Sequence, residues 1–260
     1  MLLGFLLHTI SFSILQFGAI WLSIQKLNID QVVTQISTNE LLFSFAIILF
    51  FTFSMLKLIK KVNLIKYFFY IILLIGIKST FIVFFPNFIA STFALLILIL
   101  YISRKTLLLH NVILGLAIIG IGTNLGIMLK PITVILLMAI FSIYDIIAVY
   151  KSNYMLKLFK NFAQGGATLA FLYPKTPGKI SSNNLFILGT GDVAFPMLFI
   201  SALTTVSIKL AILAAAGSII GAMVVFYLLT IQKNKRAMPA LPPIAACTIA
   251  PVAIKLMFTL

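Results

Sequence analysis

Apolar runs long enough to cross a bilayer fill this chain, and nearly all of its charge lies between them. A helix needs about 20 predominantly apolar residues to span the hydrocarbon core. Nine stretches are candidates: approximately Leu2–Ile24, Leu41–Leu58, Tyr67–Phe85, Phe88–Ile102, Leu107–Leu129, Ile132–Tyr150, Leu185–Ser207, Leu210–Ile231 and Ile244–Leu260. The fourth is short and separated from the third only by Pro86-Asn87, and the ninth carries Pro251 and Lys255. Only 9% of the 260 residues are charged, against about 25% in a soluble domain. That deficit excludes a water-soluble globule. The expected fold is an all-α membrane protein of nine transmembrane helices, a single multi-pass domain over residues 1–260. Spans one to six occupy about 2–150, a loop about 151–184, and spans seven to nine about 185–260. Leu2–Ile24 lacks a basic leading segment and a small-residue cleavage site, so it reads as a retained span rather than a signal peptide.

The net charge of +15 would suit nucleic-acid binding if the basic residues were gathered on one soluble face. Instead they alternate with the spans, as membrane topology requires. Lys57, Lys60, Lys61, Lys66, Arg104, Lys105, Lys151, Lys157, Lys160, Lys175, Lys179, Lys233, Lys235 and Arg236 all fall on one side. The other side has Lys26, Lys130, Lys209 and Lys255, while Lys78 lies within the third span. The asymmetry predicts a cytoplasmic N-terminus and an external C-terminus. Nucleic acid is not an expected partner. Cys247 is the lone cysteine and has no internal disulfide partner.

The four acids then separate by position. Asp30 and Glu40 fall in the first external loop, where carboxylates cost little. Asp145, in IFSIYDIIAVY, and Asp192, in LFILGTGDVAFPMLF, lie inside spans. A carboxylate at membrane depth costs a few kcal/mol even on lenient scales, so such residues face a protein interior and serve function. Asp145 is five residues from the cytoplasmic end of its span, roughly 8 Å deep, and Asp192 sits roughly 10 Å below the same surface at 1.5 Å per residue. Sequence-adjacent antiparallel helices therefore carry carboxylates at matched depth. Two carboxylates a few ångströms apart do not both ionise readily and share a proton. Such a pair can take a proton from an attacking water and give one to the developing oxyanion, which is aspartyl proteolysis.

Gly189, Thr190 and Gly191 precede Asp192 directly, and two glycines let another backbone approach. Ordinary helix packing through small residues would explain them equally well. Pro239-Ala240-Leu241-Pro242, followed by Pro243, opens the ninth span, where so many prolines argue against regular helix. Irregular backbone at membrane depth is tolerated where it is buried in protein or lines a wet cavity.

Taken in order, Tyr144-Asp145 in the sixth span, Gly189-Thr190-Gly191-Asp192 in the seventh and Pro239-Ala240-Leu241-Pro242 at the ninth resemble the presenilin and signal peptide peptidase family of intramembrane aspartyl proteases. The likeness extends to the layout of the whole chain. It implies that Asp145 and Asp192 are the catalytic pair and that Pro239, Ala240, Leu241 and Pro242 shape the active site and help hold substrate. Tyr144, Gly189 and Gly191 belong to the family's motifs. Thr190 departs from the leucine usual in presenilins, a difference that bears on cleavage preference. Pro196 is more like the signal peptide peptidase branch, whereas Pro-Ala-Leu-Pro and the cytoplasmic N-terminus are more like presenilin, so the branch stays open. The compact chain is similar to microbial homologues, which implies the cell membrane of a microbe.

Between the aspartates, the run Ala167–Tyr173 follows Gln164-Gly165-Gly166 and precedes Pro174 and Pro177. It reads either as an amphipathic hinge or as a gate that forms a strand beside Leu185–Leu188 and pairs with unwound substrate. His8 and His110 lack companions at metal-ligand spacing and read as structural. No metal or cofactor is expected. The function expected is intramembrane endopeptidase, acting on transmembrane segments or remnant signal peptides, with the bilayer as its other partner and self-association open. Two alternatives stand beside it: a prepilin-peptidase-like aspartyl protease, and a cation channel or transporter using the two acids as an ion site.

Overall fold

The structure, a computed structural model, describes residues 2–29, 62–104, 106–150, 168–174, 185–231 and 238–258. Within them are eight helices and one small sheet. In chain order these are α1 (Leu2–Ile29), α2 (Val62–Phe81), α3 (Asn87–Ser103), α4 (Leu107–Met128), α5 (Pro131–Tyr150), β1 (Ala170–Pro174), β2 (Leu185–Gly189), α6 (Thr190–Thr204), α7 (Ile208–Ile231) and α8 (Leu241–Met257). The expected second span, Leu41–Leu58, and both Asp30 and Glu40 lie outside the described residues. Four helices, α1 over Gly4–Ile29, α4, α5 and α7, are long and apolar enough to cross a membrane, and α3, α6 and α8 are shorter apolar helices.

Local sequence sets the helix starts. Thr106 caps α4 by accepting a hydrogen bond from the Leu109 N–H at 3.3 Å, a role its short hydroxyl fills at a helix N-terminus. Pro86 immediately precedes α3, and Pro131 opens α5, where a missing N–H costs nothing. Lys78 lies in the last turn of α2, where a cation suits the helix dipole.

Two expectations need correcting. The seventh span does not begin as helix at Leu185: residues Leu185–Gly189 are strand, and helix starts only at Thr190. The helical fold therefore includes one two-stranded sheet. The prolines of the ninth span do not prevent helix either. Pro242 and Pro243 fall inside the first turn of α8, where their fixed φ is compatible with helix and the N–H they lack has no intrahelical partner to lose.

Burial sorts the side chains. Phe12, Leu73, Ile77, Ile113 and Phe171 form one packed region joining α1, α2, α4 and β1. Val134, Met138, Phe199, Ile200 and Val252 form a second, among α5, α6, α7 and α8. Large apolar residues such as Ile14, Phe88, Ile132 and Ile220 are exposed, as a hydrocarbon solvent permits. The buried face of α7 consists largely of small residues, including Ala211, Ala214, Gly217, Ser218 and Gly221. Such a stripe lets helix backbones approach closely in a bilayer. A Cβ on Gly221 would stand 2.7 Å from the Ile244 Cα, and one on Gly217 would stand 2.9 Å from the Pro251 Cγ. These glycines seat α8 directly on α7.

At one end of the bundle Lys26 of α1 is buried and donates to Asn124 and, at 3.4 Å, to the Gly120 carbonyl of α4. At the other end β1 and β2 pair antiparallel, with Ala170 opposite Gly189 and Pro174 opposite Leu185. The sheet rests on His8 of α1, which is wholly buried, its ring meeting Tyr173 and Phe186 edge-on and stacking against Phe226. The second reading of the Ala167–Tyr173 run, a strand beside Leu185–Leu188, is the one observed, although Ala167 itself is outside the described residues.

Candidate active site

Each intramembrane aspartate is tied to the start of a helix. The first turn of a helix has N–H groups without intrahelical partners and carries the positive end of the helix dipole. In α8 the prolines at 242 and 243 remove two of those donors, leaving the N–H groups of Ala240 and Leu241 at the helix start. Both are directed at Asp145 of α5. The Leu241 N–H donates to Asp145 Oδ2 at 3.2 Å, and the Ala240 N–H acts more weakly on the same carboxylate. Pro239-Ala240-Leu241-Pro242 is thus a backbone cradle for one carboxylate.

Asp192 uses the start of its own helix. Gly189 occupies the cap position of α6, and its backbone N–H acts on the carboxylate of Asp192, three residues on. This is the side-chain-to-cap half of a capping box. A Cβ on Gly189 would stand 3.0 Å from Asp192 Oδ2, so the carboxylate would have to give by a few tenths of an ångström. The Gly189 backbone itself is ordinary, at φ −61°. Gly191 is less confined, since an added Cβ would meet Phe195 only at 3.8 Å. Both aspartates are half-buried, and they lie close enough for their charges to act on each other.

One aromatic contact sets their common level. Phe141 precedes Asp145 by one turn of α5, and Phe195 follows Asp192 by about one turn of α6. Their rings lie 4.5 Å apart between centroids. Because the helices run in opposite directions, the ring pair sits one turn deeper than both carboxylates. Asp192 is in the first turn of α6 rather than about 10 Å along a helix beginning at Leu185. Its elevation is set by the strand-to-helix junction.

The sheet completes the surroundings. On β1, the N–H and C=O of Leu172 both engage the Asn111 side chain, and the Ala170 carbonyl engages His110. Residues two apart on a strand present their backbone groups to the same edge, so Leu169, Phe171 and Tyr173 present theirs to β2. The Thr190 N–H donating to the Leu169 carbonyl at 3.4 Å continues that row. On β2 the alternation leaves Leu185 and Ile187 with their backbone groups on the outer edge. Gly189 is next in that outer row, and its N–H already leads to Asp192.

Of the other motif residues, Tyr144 is 52% exposed, and its ring takes no part in the hydrogen bonds that hold either carboxylate. Thr190 contributes its backbone N–H to the sheet. Sequence reasoning missed two groups, Gln16 and Asn111. Gln16 of α1 is buried and donates to the Val193 carbonyl at 3.3 Å, one residue from Asp192. Asn111 binds β1. His110, expected to be structural, holds the same strand through the Ala170 carbonyl. All three are polar residues inside apolar helices, so the burial cost that singled out the aspartates applies to them in weaker form.

The fold agrees with that of similar proteins. A solved presenilin-family intramembrane aspartate protease in a C222 crystal form superposes with a TM-score of 0.73 at 18% identity, covering 98% of this chain and 100% of that one. A second solved structure of a presenilin-family intramembrane aspartate protease, in a P2 form, gives 0.69 at 19% identity, covering 96% of each chain. At these identities the likeness establishes the fold. No curated protein matches the chain by sequence. Residues 9–259 match the model of the signal-peptide peptidase, presenilin aspartyl protease family. The chain belongs to that family and is a multi-pass membrane protein and an intramembrane-cleaving aspartic endopeptidase.

Proposed function

We propose that Asp145 and Asp192 are the catalytic pair and that the protein hydrolyses peptide bonds within transmembrane segments of other membrane proteins or remnant signal peptides. The observation that carries this reading is the convergence of two helix starts on two interacting carboxylates. One carboxylate, ionised, takes a proton from water as the oxygen attacks the peptide carbonyl. The other, protonated, donates to the developing oxyanion. Collapse of the tetrahedral intermediate breaks the C–N bond as the leaving amine gains a proton. Ala240 and Leu241 hold Asp145 through fixed N–H dipoles, so the group needs no reorganisation as charge moves. Gly189 does the same for Asp192.

A helical substrate exposes no carbonyl to attack and must be unwound. The outer edge of β2, with Leu185 and Ile187, has no strand partner among the described residues and can take an extended segment. A segment paired there continues past Gly189 toward Asp192, which brings its carbonyl to the dyad. The enzyme is read as one domain of nine spans in a microbial cell membrane. The alternating basic loops support a cytoplasmic N-terminus and an external C-terminus. The cradle around Asp145 favours hydrolysis over an ion site, because its donors fix the carboxylate rather than leave it to a cation.

The test is direct. Purified protein in liposomes is mixed with a transmembrane peptide and the fragments are read by mass spectrometry. Cleavage should vanish in Asp145→Asn and in Asp192→Asn and persist with chelators. An intact peptide together with aspartate-dependent ion flux would overturn the assignment.

A further inference from the structure

A two-stranded ribbon is marginally stable by itself, and at membrane depth an unpaired strand edge leaves its N–H and C=O groups without water to satisfy them. β1 escapes both problems through α4. The Asn111 amide donates from Nδ2 to the Leu172 carbonyl at 2.8 Å and accepts from the Leu172 N–H at 3.0 Å. That is the reciprocal pair of bonds a neighbouring strand residue would make. Two residues back, His110 Nε2 bonds the Ala170 carbonyl at 3.0 Å. A carbonyl only accepts, so Nε2 carries the proton. In the neutral ring Nδ1 then accepts from the Tyr101 hydroxyl of α3 at 2.9 Å.

We infer that Asn111 and His110 are positioning residues for proteolysis: they act as a side-chain substitute for a third strand, fixing β1 so that β2 presents its free edge to substrate. The inference rests on the docking of substrate to β2 proposed above. Neither residue touches the dyad. Their action is to order the sheet before substrate arrives, so that binding does not have to supply that ordering. Because both bonds at Leu172 need an amide, an apolar side chain loses both. A carboxylate keeps the acceptor but sets oxygen against oxygen at the Leu172 carbonyl.

The experiment compares wild type, Asn111→Leu and Asn111→Asp, as full chains in liposomes, for cleavage of the transmembrane peptide and for hydrogen exchange of the Leu172 amide. KM should rise about tenfold in Asn111→Leu, as expected for two lost hydrogen bonds, with kcat within about twofold of wild type. Asn111→Asp should raise KM at least as much. Exchange at Leu172 should quicken in substrate-free Asn111→Leu, where the N–H loses its acceptor. A merely structural role would reduce the amount of active enzyme and leave KM unchanged, and that result, or unaltered exchange in Asn111→Leu, overturns the inference. Failure of the wild type to cleave at all would instead overturn the protease assignment, while the exchange measurement still decides whether α4 fixes β1.

Discussion

Asp145 and Leu241 are 96 residues apart in sequence, yet the backbone N–H of Leu241 donates to the Asp145 carboxylate at 3.2 Å. The bond joins the C-terminal part of α5 to the first residue of α8. It makes the Pro-Ala-Leu-Pro element a matter of backbone donors rather than of side-chain recognition. Two positions of that helix start are prolines without an N–H, so the remaining donors converge on one acceptor.

That account predicts an unusual mutational pattern at Leu241. Leu241→Pro removes the N–H while occupying a first-turn position that tolerates proline. A hydrogen bond to a charged group contributes about 1.5–3 kcal/mol, so kcat should fall roughly tenfold to a hundredfold. Leu241→Ala keeps the N–H and loses a buried side chain, so it should lower stability more than kcat per folded molecule. Steady-state kinetics with thermal unfolding of each variant separates the two. Equal loss of kcat in both would contradict the backbone role.

The two glycines before Asp192 should differ in importance. A Cβ at position 189 would press on the Asp192 carboxylate at 3.0 Å, whereas one at 191 would meet Phe195 at an ordinary 3.8 Å. Gly189 has φ −61°, which any residue can adopt, so the penalty is contact and not backbone strain. A shift of the carboxylate by a few tenths of an ångström should lower kcat about tenfold in Gly189→Ala. Gly191→Ala should stay within about twofold of wild type, since its Cβ meets only an ordinary contact. Cleavage rates at saturating peptide measure both.

Asp145 and Asp192 were legible in sequence because a carboxylate in an apolar run is costly, and the cost does not depend on knowing the fold. Helix positions were legible from hydropathy for the same reason. The strand at Leu185–Gly189 stood only as one of two readings, because Leu-Phe-Ile-Leu is equally apolar whether it continues a helix or pairs as a strand. Its partner Ala170–Pro174 suffered the same ambiguity, which only the pairing resolves. The prolines at 242 and 243 misled in the opposite direction. Proline breaks a helix in its interior but starts one in the first turn, and sequence alone did not show which turn they occupied. Asn111 went unnoticed because a single amide near a span end is unremarkable until a strand lies beside it.

The seat of α8 on α7 gives a prediction about coupling between packing and chemistry. At Gly221 an added methyl would stand 2.7 Å from the Ile244 Cα and 3.1 Å from the Cys247 Cβ. Backbone cannot yield as a flexible side chain would, so α8 must move outward. Overpacking of this kind costs about 1–3 kcal/mol. Gly221→Ala should therefore lower thermal stability, and kcat should drop as the Leu241 N–H withdraws from Asp145. Retained kcat alongside lowered stability would show that the α8 start is held by contacts other than α7.

The ring pair below the dyad should govern how the two carboxylates line up. Phe141 and Phe195 stand at 4.5 Å between centroids, bridging α5 and α6 one turn from each aspartate. The rings are half-buried, so truncation should cost somewhat less than the about 3–5 kcal/mol of a fully buried phenylalanine. Phe141→Ala should then free α5 to shift along α6 and separate the carboxylates in height, whereas Phe141→Leu preserves most of the volume. The expected order of kcat is wild type, then Leu, then Ala, with the alanine variant down about a hundredfold for a misplacement near 1 Å. Disulfide cross-linking between cysteines placed at Phe141 and Phe195 offers the complementary test. A bridged enzyme should recover activity that the doubly reduced form lacks, because the covalent bond restores the level the rings set. An alanine variant with wild-type kcat would place the control of carboxylate alignment elsewhere, in the α8 start and the Gly189 cap alone.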